Sequence, residues 1–251
     1  MTVAPDATPS HDVVRVQVVA AARGGCRLGV AEVLLAAAER AAATIDGRVV
    51  VLTQLDGDPF PQANPLARPY DAVLEVQAVA GADPVATTNA LAAALGGIAD
   101  ALRPVAHRDL SGVLVGAPQE IIPTDLTPVR YQYFMRRRAG TTHAAYLDHY
   151  FHHHSQFGFA TPGIEGYTQF HVDPAATAVV AARLGLGAVG CDSVSELHLA
   201  SLDTFLTAIA ESGFGMEAVV DEETFVDRDN SVSITTSSRR SPSGAPPPPS
   251  L

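Results

Sequence analysis

Five of the nine histidines fall between His143 and His154, within Thr141-Thr-His-Ala-Ala-Tyr-Leu-Asp-His-Tyr-Phe-His-His-His-Ser-Gln-Phe157. Imidazole exchanges protons near neutral pH and is also a common metal ligand. Spacing weighs the two uses. On a helix turning about 100° per residue, Tyr146, Tyr150 and Phe157 form an apolar stripe, His143 and His154 fall on or beside it, and His149 and His152 point away. His143 and His154 would stand roughly 16 Å apart, too far to share one ion. His149 and His153 are spaced i, i+4 and could chelate, but they face mainly solvent and no Asp, Glu or Cys nearby is an evident third ligand. No functional metal site is therefore expected, only a surface pair able to pick up nickel or zinc adventitiously. His154, near the helix end on the buried side, is either a general acid or base or a histidine that bonds a main-chain carbonyl and packs the helix end.

Strand alternation offers a second set of polar groups. Along 129–138, Tyr131, Tyr133 and Met135 share one face while Gln132, Phe134 and Arg136 share the other. Along 164–172, Ile164, Thr168 and Phe170 oppose Tyr167, Gln169 and His171; along 193–199, Leu197 and Leu199 oppose Val194, Glu196 and His198. If the apolar faces pack on helices, then Gln132, Arg136, Tyr167, Gln169, His171, Glu196 and His198 project into the space the sheets enclose. A carboxylate, two imidazoles and a phenol there would suit enolisation, dehydration or cyclisation. A satisfied polar network between sheets is the structural alternative.

The elements that must position these residues come in one order, read twice. Strand 13–20, helix 28–43, strand 48–55, strand 71–79, helix 84–102 with Asp83 as N-cap and Pro84 at the first position, and strand 111–117 make βαββαβ. After a Pro-punctuated linker at 118–128 come strand 129–138, helix 142–157, strand 164–172, strand 188–199, helix 202–211 and strand 216–225. The duplication reads as one of structure, since no residue identity between the halves is obvious. Each unit is the split βαβ, ferredoxin-like motif, with helices on one sheet face and the other face open. Two such units can cover their open faces against each other as a barrel within one chain. The expected organisation is a disordered 1–12, repeat one at 13–117, the linker, repeat two at 129–230, and a disordered Pro- and Ser-rich tail at 231–251.

The second half resembles a known family through several motifs taken together. Tyr146, the His149-Tyr150 pair, His154, the turn Thr161-Pro162-Gly163 and the strand Gly166-Tyr167-Thr168-Gln169 match the EthD pattern, with His149 where an aromatic is usual. The likeness runs on through Val194 to Phe205 and Asp221 to Asp227. It implies an α+β fold of tandem ferredoxin-like repeats closing as an intramolecular dimeric α+β barrel, the first repeat being a degenerate copy. It also implies a hydrophobic cavity between sheet and helices for an aromatic or polyketide-like molecule. With the resemblance, His154 becomes the first choice for proton transfer, His171 and Glu196 further catalytic candidates, and Gln132, Phe134, Arg136, Tyr150, Tyr167, Gln169 and His198 substrate-binding candidates.

Composition removes other classes. A net charge of −11, from 27 acidic against 16 basic residues, repels phosphate backbones and anionic lipid, so neither nucleic acid nor membrane is expected as a partner. No run reaches roughly 20 apolar residues, and a soluble cytoplasmic protein, with a homodimer as an option, is expected. Cys26 and Cys191 read as core residues. The expected function is a cofactor-free enzyme doing His-mediated acid–base chemistry on a hydrophobic carbonyl compound: a cyclase, dehydratase or other lyase. The alternatives are a cofactor-independent monooxygenase and a non-catalytic binding protein. Some relatives by fold hold haem through an axial His, but nothing here nominates one.

Overall fold

The computed structural model describes residues 9–60, 70–213 and 215–239. Repeat one contains β1 (Val13–Ala20), α1 (Arg27–Ala42), β2 (Arg48–Gln54), β3 (Ala72–Val79), α2 (Pro84–Ala94), α3 (Ile98–Leu102) and β4 (Gly112–Ile122). As expected, Asp83 caps α2, accepting from the main-chain N–H groups of Val85 and Ala86. The expected long helix breaks into α2 and α3 at Gly97, whose φ of 78° lies where only glycine is comfortable.

Repeat two contains β5 (Val129–Met135), α4 (His143–His149), a π-helical turn (Tyr150–His154), α5 (Ser155–Ala160), β6 (Gly166–Val172), α6 (Pro174–Leu184), the short β7 (Gly187–Ala188), β8 (Ser193–Leu199), α7 (Leu202–Ser212), α8 (Met216–Phe225) and β9 (Val232–Arg239). Two expectations fail here. The segment 216–225 is the helix α8, not a strand; its Met, Glu and Ala favour helix, and its Val-Val pair is a weaker signal. The fourth strand is instead β9, Val-Ser-Ile-Thr-Thr-Ser-Ser-Arg, inside the stretch expected to be a disordered tail. Its Val, Ile and Thr content carries strand propensity despite its polarity. Of the expected disordered ends, 1–8 and 240–251 lie outside the described residues, whereas Ser10 is tied through its main-chain N–H and carbonyl to the Gln119 side chain.

The strands form one sheet in the order β1-β3-β2-β9-β5-β8-β6-β4, and β1 also pairs with β4, which closes an eight-stranded antiparallel barrel. β7 adds a short parallel edge to β4. Each repeat contributes its strands in the same relative order, fourth-first-third-second: β4-β1-β3-β2 and β9-β5-β8-β6. The seams are β2 against β9 and β4 against β6, both antiparallel. Closure removes the exposed edges that a lone four-stranded unit would present.

Alternation assigns the faces. Val14, Val16, Val18 and Ala20 of β1 turn outward onto α1, α2 and α3, joined by Val180, Ala181 and Leu184 of α6. Burying each Val or Leu among them stabilises the layer by about 1.5–3 kcal/mol. The inward residues are mixed: Val19, Leu52, Val73, Leu114, Phe134, Phe170 and Val194 pack at one level, and an ionic network fills another.

That network overturns the view that the halves share no residues. Arg15 and Gln17 on β1 correspond to Arg130 and Gln132 on β5, the first strand of each repeat, while Glu75 on β3 corresponds to Glu196 on β8, the third strand. The ion pairs exchange partners between repeats: Arg15 donates to both Glu196 oxygens at 2.9 and 2.8 Å, and Arg130 to both Glu75 oxygens at 2.7 and 2.8 Å. Gln17 donates to Glu75 at 3.0 Å and Gln132 to Glu196 at 3.2 Å. All six are buried. Although burial opposes ionisation, the Arg130 and Arg15 guanidiniums hold the Glu75 carboxyl far below the usual carboxylate range.

Candidate functional site

Thr142 starts the site helix, its hydroxyl accepting from the main-chain N–H of Ala145. α4 then widens into the π turn before continuing as α5. The widening changes which side chains align. Near 100° per residue His149 and His154 would diverge, but with more residues per turn both meet the Asp221 carboxylate of α8. His149 Nε2 lies 3.0 Å from Oδ1, His154 Nδ1 lies 2.7 Å from Oδ2, and His153 Nε2 stands 3.4 Å from Oδ1. Burial works against the charge on Asp221, but hydrogen bonds from His154 and His149 prevail and hold its carboxyl below the ordinary value.

His154 is buried among the rings of Tyr150, Phe157 and Phe225. A bond from Nδ1 to a carboxylate fixes the tautomer with the proton on Nδ1 and leaves Nε2 as a base, the arrangement used wherever a histidine is oriented by an acidic partner.

Beneath the helix lies the outward face of β5, β6 and β8: Tyr131, Tyr133, Tyr167, Gln169, His171, Ser193 and Ser195. Tyr146 Oη and Ser193 Oγ are 2.6 Å apart. Gln169 Nε2 donates to the Tyr150 main-chain carbonyl at 2.8 Å and to Tyr167 Oη at 3.0 Å, which pins the π turn to the sheet. Tyr150 Oη is buried beside the Tyr167 and Ser195 hydroxyls with no hydrogen bond of normal geometry. Burial lifts every one of these phenols, Tyr133 and Tyr167 to about 12, so all stay protonated donors at neutral pH. Glu222, next to Asp221, is raised by burial against the opposing pull of His154 and Arg228. Tyr131 and Tyr133 are half-buried, and Phe60 stacks on Tyr131 with centroids 4.7 Å apart.

Residues 138–229 match the EthD domain. No curated protein matches the chain in sequence. In solved structures the likeness extends beyond the EthD domain to the whole barrel. An anthrone oxidase-like protein aligns with a TM-score of 0.55 at 10% identity, covering 95% of this chain and 94% of that one. A candidate monooxygenase from Fusobacterium nucleatum subsp. nucleatum aligns with a TM-score of 0.52 at 9% identity over 90% of this chain and 91% of that one. A candidate chlorite dismutase aligns with a TM-score of 0.50 at 9% identity over 91% and 95%. At such identities the likeness is one of fold: the dimeric α+β barrel closed within one chain.

The residues expected to line a single hollow are divided by the barrel wall. Gln132, Glu196 and His198 do point inward, but Glu196 is held by Arg15, Arg130 and Gln132. Against the expectation of a catalytic carboxylate, its oxygens are taken up by these partners, and the contact with Arg15 joins the two repeats. His198, 3.2 Å from Thr168 Oγ1, is driven to about 3 by burial and then by the Arg130 charge, so it is neutral. Phe134 is core and packs edge-on to Tyr70. Arg136 sits at the exposed end of β5, lining a cleft of about 590 Å³ with Tyr70, Arg108 and Asn230.

Tyr167, Gln169 and His171 face the opposite way from Glu196, because Thr168, not Tyr167, shares its register position and face. They belong to the helix–sheet layer of the second repeat. There His171 Nε2 lies 3.0 Å from Gln169 Oε1, and burial lowers the imidazole to about 3, which keeps it neutral. The expected interior hollow shared by both repeats is thus occupied by the ionic network, and His154 opens onto the outer layer. A strand reading of 216–225 hides Asp221 and Glu222 from the candidate site, although the EthD likeness of Asp221 to Asp227 marks the segment.

Among the described residues no helix is long and apolar enough to cross a membrane.

Proposed function

We propose that the EthD half is an acid–base catalyst for a hydrophobic, carbonyl-bearing small molecule held between the outer sheet face and the α4–α5 helix. His154 Nε2 takes a proton from the carbon beside the carbonyl; the C–H electron pair moves into the carbonyl, and the resulting oxyanion accepts a hydrogen bond from Tyr150 Oη. The enolate then expels a β-hydroxyl as water, reprotonated by His154, or attacks a second carbonyl to close a ring. Lyase, dehydratase or cyclase chemistry of this kind uses only side chains. The observation that carries the reading is the 2.7 Å contact between His154 Nδ1 and Asp221, which fixes Nε2 as the base in a buried aromatic setting. Tyr150 supports it, as a buried protonated phenol beside the Tyr167 and Ser195 hydroxyls with no hydrogen bond of normal geometry.

Replacing His154 with Ala should lower turnover at least about 100-fold with the melting temperature little changed; turnover near wild type would remove it from the mechanism. A second reading shares the first step: an enolate of an electron-rich aromatic ketone passes an electron to dioxygen and is hydroxylated or oxidised. The names of two fold neighbours, an anthrone oxidase-like protein and a candidate monooxygenase, favour testing it. Oxygen uptake matched to product formation would select it over water loss or ring closure.

A further inference from the structure

The two histidines that looked like an incomplete chelate acquire a third ligand once α8 folds across the π turn. His149 Nε2 and His153 Nε2 lie 3.0 and 3.4 Å from the same oxygen of Asp221, and the three donor atoms are all within 4.8 Å of one another. An ion bound at about 2.0–2.2 Å by nitrogen and oxygen ligands needs neighbouring donors about 3–3.5 Å apart, so the cluster requires only small rotamer shifts to close on one. The ligands come from two elements, the π-turn region and α8, and they are differently exposed: the Asp221 side chain is 10% accessible, His149 32% and His153 56%. An ion there is reached from solvent past His153 and keeps its remaining positions for water.

We propose that His149, His153 and Asp221 form a site for one divalent transition-metal ion. Two imidazoles and a carboxylate suit zinc, cobalt, nickel or ferrous iron, and are a poor set for calcium or magnesium, which prefer all-oxygen shells. The second Asp221 oxygen remains on His154, so the ion, the carboxylate and the buried imidazole form one chain of contacts. Its structural effect is to clamp α8 onto the π turn, replacing a cluster of three imidazoles competing for one carboxylate with fixed coordination. The proposal does not depend on the reaction assigned to His154.

The test uses the full chain, stripped with a chelator and titrated with zinc by calorimetry and with cobalt by visible absorption. The expected result is one ion per chain with a dissociation constant tighter than about 50 µM and a d–d band typical of nitrogen and oxygen ligands. His153→Ala, at an exposed position that leaves the core intact, and Asp221→Asn should each weaken binding at least about tenfold, while His152→Ala should not. Saturation weaker than about 50 µM in the wild type, or less than tenfold weakening in His153→Ala, would overturn the assignment.

Discussion

At the scale of single residues, the polar side chains separate along the barrel wall. Glu196 and His154 are both buried and both polar, yet Glu196 spends its oxygens on Arg15, Arg130 and Gln132, whereas His154 spends one nitrogen on Asp221 and keeps the other. Glu196→Ala should therefore act on stability: leaving Arg15 buried without its carboxylate costs about 3–5 kcal/mol, measurable as a shifted denaturation midpoint. A variant that melts normally but loses activity would contradict this assignment. His154 was legible from its place in the EthD pattern. Its partner was not, because a helical wheel of uniform pitch sends His149 and His154 apart, and the π turn that reunites them leaves no clear mark in the sequence.

At the scale of elements, the helix–sheet layer depends on how closely α5 approaches β6. A Cβ on Gly158 would come within 2.2 Å of the Tyr167 ring, so the absence of a side chain there sets the spacing. Gly158→Val is expected to destabilise the fold by about 1–3 kcal/mol and to displace Tyr167, weakening ligand binding more than Gly158→Ala does; calorimetric melting and ligand titration of both variants check this. Element type was readable wherever caps and periodicity agreed, as for α1, α2 and β1. α6 carries the same marks, since Asp173 and Pro174 repeat the Asp83 and Pro84 cap signature and Gly185 ends the helix in the left-handed region. α8 and β9 were harder, because helix-forming residues mixed with Val-Val, and strand-forming residues sat beside a Pro- and Ser-rich tail.

At the scale of the whole molecule, two repeats close one barrel through β9, which pairs with β2 of the first repeat and β5 of the second. A chain ending before Ser231 should lose that double seam. Far-ultraviolet circular dichroism and gel filtration should find it unfolded or self-associated through the freed edges, and a monomer with native melting would refute the closure. The exchanged ion pairs were visible in the sequence as Arg-x-Gln in β1 and β5, at 15–17 and 130–132, but the recurrence means little until the strands are known to face each other.

The same interior fixes the response to acid. His171 and His198 have folded values near 3 against an ordinary value near 6.5, so the unfolded chain takes up protons that the folded one refuses. Their contribution is complete above pH 6.5 and falls as pH drops toward 3, by up to about 1.4 kcal/mol for each group per pH unit. Glu75, held low, adds a loss in the same direction below its ordinary range. Melting temperature should decline between pH 7 and pH 5, less steeply in His198→Gln; a flat profile would mean that these imidazoles are not buried neutral.

We propose that His154 abstracts protons from carbon within the helix–sheet layer. That step is measured by solvent deuterium incorporation at the activated methylene of an aryl 1,3-diketone, followed by mass spectrometry for the wild type and for His154→Ala. Exchange at least about 100-fold faster with the wild type than with the variant is expected at matched folding. Equal rates for the two proteins would contradict it.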